Sequence, residues 1–389
     1  MRLILTVNYS PWSRYSGGGQ HSTHHLAEAL ARRGHRVSVV YTKPPWEQVP
    51  TPAGLPYDVH WAAFCGLRSN RTAPLRVVNA WTVARTVASM LAEEPVDVVH
   101  CQGEEGALLP RLRGRRRDFY LVVTARYPGY PMRRWTRSPK YRAMGHLVRH
   151  ADARCTTSNA SRALLARAFA VDPGETHVVP NGVDPVFVEV TRVARARHGP
   201  IVFFGRIERS KGVDTLIEAL SRLRETIDLP VLVIGRGGWE RAARESAARL
   251  GLTNRLAFPG WLDRDALASA LATARLAVLP SREESFGNAM VEAMAAGVPV
   301  LSTSVGSILE VTDNSRAARL VPPDDPDQLA HAISDLVRDA DEAEALGRQG
   351  REFVARAFSW SRAASLYERI YTELSHQNRP GRSRRGATE

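Results

Sequence analysis

Short runs of aliphatic and β-branched residues alternate with amphipathic helical stretches along nearly all of the 389-residue chain. In the first half, apolar runs at Leu3–Val7 and Val37–Tyr41 flank a helical stretch over Gln20–Arg33. In the second half, the same order begins with a run at Ile201–Phe204 and a helical stretch over Val213–Leu223. This alternation is typical of parallel sheets wound with helices. The sequence therefore predicts an α/β fold with two doubly wound, Rossmann-like sheets.

The same alternation continues through both halves of the chain. Further strands are predicted at Val96–His100, Tyr120–Thr124, Ala153–Thr156, Val231–Ile234, Arg255–Phe258, Leu276–Leu279 and Val298–Leu301. Further helices are predicted at Trp239–Leu250, Ala289–Ala296, Asp327–Val337, Asp341–Ala357 and Trp360–Ser375.

A turn-rich passage at Val179–Pro185 and the charged, poorly patterned stretch Arg192–Gly199 separate the two halves. Passages of this kind are typical of domain boundaries. We therefore predict an N-terminal domain, a second Rossmann-like domain, a helix that returns to the first domain and a disordered tail, at residues 1–185, 186–357, 358–375 and 376–389.

The composition narrows the class of partner. Lys and Arg number 53 against 40 Asp and Glu, which gives a formal net charge of +13. Such a balance favours polyanionic partners such as phosphates, nucleic acid or an anionic membrane surface. An Arg-rich genome produces the same balance without any such partner, and the composition does not separate the two.

Cysteines and apolar runs bear on the cellular compartment. Three widely spaced cysteines, at positions 65, 101 and 155, form neither a disulfide framework nor a C-x-x-C metal site. The apolar stretch at the N-terminus is too short for a signal peptide, and the sequence contains no run of about 18 apolar residues. We therefore expect a cytoplasmic protein without a membrane-spanning segment.

The segment Pro280–Pro299 carries the strongest chemical signal. An apolar strand ends just before it, and a loop then leads into a helix whose first turn contains Gly287 and Asn288. Free backbone N–H groups at such a helix start bind phosphate, and glycine lets the backbone approach a ligand closely. Glu284 precedes the helix and Glu292 lies two turns or so further on, so one carboxylate can face a sugar and the other ribose hydroxyls. The alternative is that both are ordinary solvated charges.

A second strand-to-helix loop lies at Phe203–Gly212. Its Arg206 offers a planar fork that suits a diphosphate, and Lys211 offers a compact point charge. Two fixed cations over a leaving diphosphate can take the place of a divalent metal ion. The alternative is a basic loop that is merely solvated.

These two segments resemble the family 4 glycosyltransferases, which have the GT-B fold. The Pro180–Asp184 turn, the Gly18-Gly19 loop that leads into Leu26–Val37, and Phe358–Trp360 fit the same family. The resemblance covers nearly the whole chain. It implies two Rossmann-like domains that face each other across a cleft, and transfer from a nucleotide-sugar donor with retention at the anomeric carbon.

The resemblance also implies roles for individual residues. Arg206 and Lys211 are expected to bind the diphosphate and, with Glu284, to carry the catalysis. Further donor contacts are implied at Gly18, Gly19, Gly205, Trp261, Leu262, Phe286, Gly287, Asn288 and Glu292, with Glu292 on the ribose and the Trp261–Leu262 segment beside the base. The leaving phosphate is expected to assist the acceptor, so neither a cofactor nor a metal ion is expected.

One position departs from the family pattern. Many members carry a His after the strand that matches Leu121–Thr124, close to the reacting sugar, and this chain has Arg126 there. Arg is always charged and accepts no proton, although it can orient the donor or stabilise the leaving phosphate. The paired His of the family is reduced to His100 and Gln102. His21, just after the glycine loop, is a further candidate for a ligand contact, the alternative being a surface residue.

The segment Asp325–Asp327 matches the Asp-x-Asp signature of metal-dependent transferases. It lies immediately before a predicted helix, where Asp is a common N-cap. We therefore expect helix capping here and no metal site.

Basic clusters in the first half suggest where an acceptor binds. They contain Arg111, Arg113, Arg115, Arg116, Arg117, Arg133, Arg134, Trp135, Arg137, Lys140, Tyr141 and Arg142. Arg together with aromatic residues suits an anionic membrane surface or a phosphorylated acceptor. The hypothesis is peripheral contact with the inner face of a membrane and a lipid-linked or cell-envelope acceptor, with a glycan or a small molecule also possible. A solvated basic surface is the alternative.

Three other classes of protein share features of this sequence. A nucleic-acid-binding protein would be basic, but the sequence has neither a recognition-helix motif nor zinc-ligand spacing, so no nucleic-acid partner is expected. A nicotinamide-dependent dehydrogenase would carry Gly-x-Gly-x-x-Gly directly after the first strand, where Asn8–Ser16 intervenes here. A nucleotide-sugar epimerase of the GT-B type stays open as the alternative to a transferase.

Overall fold

The structure, a computed structural model, describes residues 1–13, 16–64, 73–116, 118–126, 139–193, 196 and 198–376. The chain divides into two compact units, the first made of Met1–Gly182 and the segment that begins at Trp360, the second of Val183–Ser359. Each unit contains one parallel sheet with helices packed on it. The predicted α/β fold with two doubly wound sheets is thereby confirmed.

The first unit contains a sheet of seven parallel strands in the order β3-β2-β1-β4-β5-β6-β7. Its strands are β1 (Arg2–Val7), β2 (Arg36–Lys43), β3 (Asp58–Ala63), β4 (Val98–Cys101), β5 (Tyr120–Thr124), β6 (Ala153–Thr156) and β7 (Thr176–Val178). The helices that alternate with them are α1 (Gly18–Arg32), α2 (Ala73–Glu93), α3 (Leu109–Arg115), α4 (Pro139–His150) and α5 (Asn159–Phe169).

The second unit contains a sheet of six parallel strands in the order β10-β9-β8-β11-β12-β13. Its strands are β8 (Ile201–Phe204), β9 (Val231–Ile234), β10 (Leu256–Gly260), β11 (Leu276–Leu279), β12 (Val300–Thr303) and β13 (Arg319–Val321). Its helices are α6 (Pro185–Val188), α7 (Val213–Arg222), α8 (Glu240–Arg249), α9 (Arg264–Thr273), α10 (Asn288–Ala295), α11 (Ile308–Val311), α12 (Pro326–Arg338) and α13 (Ala340–Ala357).

Both faces of the first sheet are covered. Successive side chains of a strand point to opposite faces. In β1, Leu3 and Leu5 lie in one apolar cluster and Ile4 lies in another, and all three are buried. This double burial explains why the central strands read as continuous apolar runs instead of alternating ones.

The ten strands predicted from the sequence are present, and three strands were missed. The missed strands are β3, β7 and β13, and each lies at an edge of its sheet. Edge strands pair on one side only and need fewer apolar residues, so they lack the long aliphatic runs that identify central strands. The side chains of β3, for example, are mostly half-buried or exposed.

The last helix, α14 (Trp360–His376), belongs to the first unit although it follows the second unit in sequence. Tyr367 and Tyr371 are buried in the same apolar cluster as Leu26 of α1. At the surface, Glu368 accepts hydrogen bonds from Arg33, with a distance of 2.9 Å from Nε to Oε2. The final helix therefore completes the packing around α1.

The limits of the units differ by a few residues from the predicted ones. Residues 183–185, expected in the first domain, lie in the second unit, and so do Phe358 and Ser359, expected in the returning segment. The Val183 amide donates to the Phe358 carbonyl at 3.0 Å, which ties both ends to the second unit. The predicted tail at 376–389 lies outside the described residues, except for His376 at the end of α14.

None of the helices in the described residues is both long enough and apolar enough to cross a membrane.

Candidate functional site

The second sheet changes winding direction between β8 and β11, which are adjacent in the sheet. The loops after these strands leave the same edge of the sheet, and ligands of open α/β sheets bind outside such a point. These are the two loops that the sequence singled out, Gly205–Gly212 and Pro280–Gly287.

Backbone contacts hold the two loops together. Gly212 has a φ of +68°, and a Cβ at this position would lie 1.8 Å from the carbonyl oxygen of Pro280. The Arg282 amide donates to the Ser210 carbonyl at 2.8 Å. Only glycine permits both the left-handed backbone and this close approach at position 212. The loop that carries Lys211 is therefore fixed against the loop that carries Glu284.

Arg282, which no sequence pattern singles out, strengthens this contact. Its guanidinium donates to both carboxylate oxygens of Asp214, at 2.6 and 3.1 Å, and to Asp324 at 2.5 Å. Such bidentate pairs fix both distance and direction. An Arg inside a motif already rich in charges gives no sequence signal that separates a structural role from a ligand contact.

Lys211 and Glu284 meet directly. The Lys211 ammonium lies 2.6 Å from Oε1 of Glu284, and the Ser281 hydroxyl donates to the same oxygen at 2.8 Å. The side chains of Lys211 and Glu284 are 19% and 16% exposed, so both are accessible to a ligand without being freely solvated. The structure thus brings together two of the three predicted catalytic residues.

Arg206, the third, is exposed just after β8. Within the part of the chain that the structure describes, its side chain forms no ion pair or hydrogen bond. Gly205 before it has a φ of +139°, and its carbonyl oxygen lies 1.8 Å from where a Cβ of Gly235 would be. The ends of β8 and β9 are therefore packed backbone to backbone, and Arg206 projects from a fixed point.

The start of α10 has the geometry expected of a phosphate site. Gly287 is its N-cap with a φ of +87°, and Asn288 is its first residue. Gly306 packs so tightly beneath this loop that a Cβ there would lie 2.1 Å from the carbonyl oxygen of Glu284. Phe286 is buried against Phe358 in an edge-to-face contact, with ring centroids 5.4 Å apart. The backbone from Glu284 to Asn288 is thereby fixed on both sides.

Glu292, predicted to bind ribose, pairs with an Arg that the sequence did not reveal. Nη2 of Arg264 donates to Oε1 of Glu292 at 2.9 Å, and its Nε donates to Asp184 at 2.9 Å. The guanidinium also lies over the ring of Phe187, 4.4 Å from its centroid. Burial opposes the charge of Arg264, but the two carboxylates outweigh it and raise its pKa. Glu292 is therefore held in place as a carboxylate, with 13% of its side chain exposed.

The predicted base-contacting segment follows β10. Gly260 has a φ of +83° and turns the chain out of the sheet. Trp261 is 48% exposed, which is unusual for so large an apolar side chain, whereas Leu262 packs against the core of the second unit. Only Trp261 of this pair presents a broad apolar face to solvent.

In the first unit, the predicted glycines open α1. Gly17 is the N-cap, and Gly18 and Gly19 are the first helical residues. A Cβ at Gly19 would lie 4.0 Å from Cδ of Arg126, so the side chain of Arg126 lies beside the start of α1. Gly18 and Gly19 follow β1, and Arg126 follows β5. The strand β4 lies between these two strands, and the first sheet changes winding direction between β1 and β4.

Arg126 is held by neutral amides. Its Nε donates to Oε1 of Gln102 at 2.9 Å, and its Nη1 donates to Oδ1 of Asn181 at 2.6 Å. Burial lowers the pKa of Arg126, while the nearby Tyr367 and Glu105 act in the opposite direction. An Arg remains charged even so. The residue that replaces the expected His is thus a half-buried, oriented cation, with its remaining Nη2 unpartnered among the described residues.

Glu105, not identified from the sequence, is buried close to this cation. It is 3% exposed and accepts a hydrogen bond from the Thr6 hydroxyl at 3.1 Å. Burial raises its pKa to about 8. Two adjacent Glu residues in a loop after a strand look like solvated charges, so no local pattern indicates that this one is inside the unit.

His24 and His25 of α1 contact other side chains of the first unit. His24 contacts the Tyr57 hydroxyl at 2.7 Å, and His25 contacts Glu28 at 3.3 Å, while His21 is half-buried. Ligand atoms of His24, His25 and Glu28 lie within 4.8 Å of one another and could hold a metal ion. The expectation of no metal ion in the reaction stays a prediction.

Asp325 caps a helix as expected. Its carboxylate accepts from the Gln328 amide at 2.9 Å at the start of α12. The Asp-x-Asp resemblance in this segment is thus accounted for by local structure.

The basic clusters are only partly within the described residues. Arg113 binds Asp152 at 2.9 Å and Arg116 binds Asp118 at 3.1 Å, so these two charges are already paired. Arg117 and the segment 127–138 lie outside the described residues, and so does the side chain of Lys140. Half of the twelve residues of the predicted acceptor surface therefore lie within the described part of the chain, and the acceptor surface stays a prediction.

Comparison with known proteins places both units in one family. Residues 16–187 match the model described as Glycosyltransferase Family 4, and residues 195–353 match Glycosyl transferases group 1. The chain is 30% identical to a D-inositol 3-phosphate glycosyltransferase of Xylanimonas cellulosilytica, over 97% of this chain and 98% of that protein. It is 28% identical to an MMP alpha-(1->4)-mannosyltransferase of Mycolicibacterium hassiacum, over 95% and 98% of the two chains.

Solved structures agree on the fold. A sucrose-phosphate synthase from Thermosynechococcus elongatus is similar with a TM-score of 0.82 and 22% identity, over 97% of this chain and all of that one. Anabaena HepE, solved in complex with UDP-glucose, is similar with a TM-score of 0.74 and 19% identity, over 96% and 99% of the two chains. This chain therefore has the GT-B fold and belongs to the family 4 glycosyltransferases.

Proposed function

We propose that this glycosyltransferase transfers a sugar, with retention at the anomeric carbon, from a nucleoside-diphosphate sugar bound in the second unit. The observation that carries the proposal is the convergence of Lys211, Glu284 and the start of α10 at the point where the sheet changes winding direction. A cation, an accessible carboxylate and the N–H groups of a helix start are the groups that bind a phosphorylated sugar.

In this proposal the second unit binds each part of the donor with a different group. The N–H groups at the start of α10 and the ammonium of Lys211 bind the diphosphate, with Arg206 as a second cation from the loop after β8. Glu284 accepts hydrogen bonds from sugar hydroxyls, and Glu292 accepts them from the ribose. Trp261 offers its exposed face to the base.

The chemistry then depends on charge at the leaving phosphate. As the glycosidic bond breaks, negative charge collects on the diphosphate, and fixed cations stabilise that charge more than they stabilise the intact donor. The leaving phosphate accepts the proton of the acceptor hydroxyl on the same face of the sugar, which retains the configuration. Lys211 and Arg206 supply the stabilisation that a divalent metal would otherwise provide.

The first unit holds a cation of its own that is suited to binding a phosphate. Arg126 beside the start of α1 has two donors engaged by amides and Nη2 still available. The curated relatives act on a D-inositol 3-phosphate or transfer mannose. For this chain we propose a hydroxyl acceptor on a glycan, a lipid-linked carrier or a small molecule.

Thermal unfolding with a panel of UDP-, GDP- and ADP-sugars in the presence of EDTA tests the donor class. Ligand at about 100 times its Kd stabilises a protein by about 2.7 kcal/mol, so a true donor raises the unfolding temperature measurably. No shift with any of the nucleotide sugars, or a shift that EDTA abolishes, contradicts the proposal.

Product analysis then separates transfer from epimerisation. With a labelled donor and an acceptor, NMR of the product should show the anomeric configuration of the donor. With the donor alone, the sugar should stay unchanged, whereas an epimerase would alter it unaided. An inverted product would contradict retention and leave donor binding intact.

Peripheral membrane contact is proposed separately. Flotation with vesicles of phosphatidylcholine and phosphatidylglycerol at moderate salt should carry the protein to the top, and neutral vesicles should not. If the protein floated equally well, or equally poorly, with anionic and neutral vesicles, the membrane hypothesis would be wrong and the transferase proposal would be unaffected.

A further inference from the structure

Three side chains of α1 with metal-ligating groups lie side by side. Glu28 follows His24 by four residues and His25 by three, and residues at these spacings are neighbours on a helix surface. Nε2 of His24 lies 3.9 Å from Oε1 of Glu28, and Nδ1 of His25 lies 3.3 Å from Oε2 of Glu28. One ligand atom from each of the three residues lies within 4.8 Å of the other two.

These distances suit one bridging ion. Zinc holds nitrogen and oxygen ligands at about 2.0–2.2 Å, so two ligand atoms of one ion lie up to about 4 Å apart. The two His–Glu distances, 3.3 and 3.9 Å, are already within that limit. Small rotations of the side chains therefore suffice to bring all three groups onto a single ion.

The chemistry of the ligands selects a class of metal. Two imidazoles and one carboxylate form the three-ligand zinc site, which leaves a fourth position for water. Calcium and magnesium instead take oxygen ligands. The side chains of His24, His25 and Glu28 are 15%, 13% and 18% exposed. Packing therefore restricts the ligands, while an ion can still reach them from solvent.

Aromatic neighbours restrict both imidazoles. Nδ1 of His24 lies 2.7 Å from the Tyr57 hydroxyl, and the ring of His24 has an edge contact with Trp12 at a centroid distance of 5.7 Å. The ring of His25 stacks on Trp360 of α14 at 5.9 Å. A metal-bound imidazole usually donates its other N–H to an oxygen acceptor. The Tyr57 hydroxyl can accept that bond from Nδ1, which leaves Nε2 of His24 for the ion.

The cation that now contacts the carboxylate is a weak competitor. Nη2 of Arg32 lies 3.5 Å from Oε2 of Glu28, but the Arg32 side chain is 66% exposed. Exposed ion pairs contribute little stability, and long exposed side chains move easily. A metal ion can therefore displace Arg32 into solvent without leaving a buried charge unpaired.

We propose that His24, His25 and Glu28 bind one transition metal ion of the zinc class, with water in the remaining position. All three ligands lie on α1, and none of them belongs to the groups assigned to the sugar donor. The ion is structural, because it clamps one turn of α1 where Tyr57 and Trp360 pack. EDTA should therefore remove it without abolishing the stabilisation that a nucleotide sugar gives.

Calorimetric titration of the full chain with Zn²⁺, after EDTA treatment, dialysis and removal of any affinity tag, tests the site. The wild type should bind one ion tightly, and E28Q and H25N should each lower the affinity about 100-fold, at the upper end of the losses seen when the surroundings of a metal are altered. Zn²⁺ should raise the unfolding temperature of the wild type and leave that of E28Q unchanged.

The matched control is H146N. His146 and His150 form another histidine pair, on α4, with ring centroids 4.3 Å apart. H146N should bind Zn²⁺ as tightly as the wild type. No binding by the wild type, equal affinities of the wild type and E28Q, or a loss of affinity in H146N would overturn the proposal and leave the transferase proposal standing.

Diffraction locates the ion without any measurement of activity. Crystals grown with Zn²⁺ should show an anomalous peak at the zinc edge within bonding distance of His24, His25 and Glu28. The same peak should be absent from crystals of E28Q, whose unfolding temperature without metal shows whether the variant is folded; H25N serves if it is not. A peak at other residues alone, or no peak, contradicts the proposal.

Discussion

The two units each hold a cation where their sheet changes winding direction, but they hold it in opposite ways. In the second unit, Lys211 pairs with a carboxylate and is partly exposed. In the first unit, Arg126 is bound by the neutral amides of Gln102 and Asn181. A part-exposed ion pair is weak and easily exchanged for another anion. A buried amide network resists change, because breaking it orphans polar groups.

The difference implies a division of labour. Lys211 can exchange its carboxylate partner for a phosphate that arrives and leaves in each cycle. Arg126 cannot turn without breaking its hydrogen bonds to Gln102 and Asn181, so it presents its free edge in one direction. The second unit therefore offers a cation that can change partners, and the first unit offers a cation with a fixed orientation.

The largest expected effect comes from removing the exchangeable cation. K211A should lower kcat/KM by about 10² to 10³, the loss typical of one transition-state donor. The matched control is R209A on the same loop, whose side chain is 79% exposed. The kcat/KM of R209A should stay within about twofold of the wild-type value. Equal losses of kcat/KM in both variants would mean that the net charge of the loop matters and not the position of Lys211.

The backbone contact beneath that cation is tested by G212A. Its Cβ would lie 1.8 Å from the Pro280 carbonyl, so the two loops must separate. We expect a loss of about 3 kcal/mol in the free energy of unfolding, measured by urea titration. Gly251 has a similar φ of +71° with nothing within 4 Å. G251A should therefore cost about 1 kcal/mol, the backbone strain alone, and similar losses in the two variants would refute the role of close approach.

The burial of Glu105 is tested through pH. Burial raises the pKa of Glu105 from 4.5 to about 8, so the folded state holds a proton that the unfolded state has lost at neutral pH. Stability from this group is complete below the unfolded value and falls as pH rises toward 8. Between pH 6 and 7 this loss is about 1.4 kcal/mol.

E105Q should remove that component, so the stability of the variant should decline less than that of the wild type over this interval. Other titrating groups are common to both proteins and cancel in the difference. E93Q, at an exposed position near the end of α2, should retain the wild-type slope. Identical slopes in wild type and E105Q would mean that Glu105 is ionised inside the folded unit.

The smallest effect is expected at the ribose position. E292Q keeps the shape of the side chain but weakens its hydrogen bonds, so nucleotide affinity should fall about fivefold by calorimetry. E245Q is the control, since Glu245 pairs with Arg241 at 2.8 Å on the surface of α8. An unchanged Kd for E292Q would place the ribose elsewhere.

The same contrast explains how much the sequence could reveal. Lys211, Glu284 and Glu292 lie in two short segments with strong local patterns, so their loops and helix starts were predictable. The partner of Glu292, Arg264, lies on another helix and follows no pattern. The contacts of His100 with Tyr371 and of Arg126 with Gln102 and Asn181 join residues far apart in sequence, and only the packing of the first unit brings them together.

The three strands that the sequence did not reveal were missed for a related reason. Central strands are buried on both faces and read as apolar runs, whereas β3, β7 and β13 each pair with one neighbouring strand only. The burial of Glu105 was missed in the same way. It depends on how the segment after β4 folds back onto Thr6 and not on the neighbours of Glu105 in sequence.

The placement of α14 has a consequence for biosynthesis. When translation has passed Gly182, the ribosome has produced every strand of the first sheet, but the helix that buries Leu26 and supplies Tyr371 is still unmade. The nascent chain must keep that apolar groove shielded while some 180 further residues emerge. Truncation just before Trp360 should thus yield an aggregation-prone product rather than a smaller working enzyme.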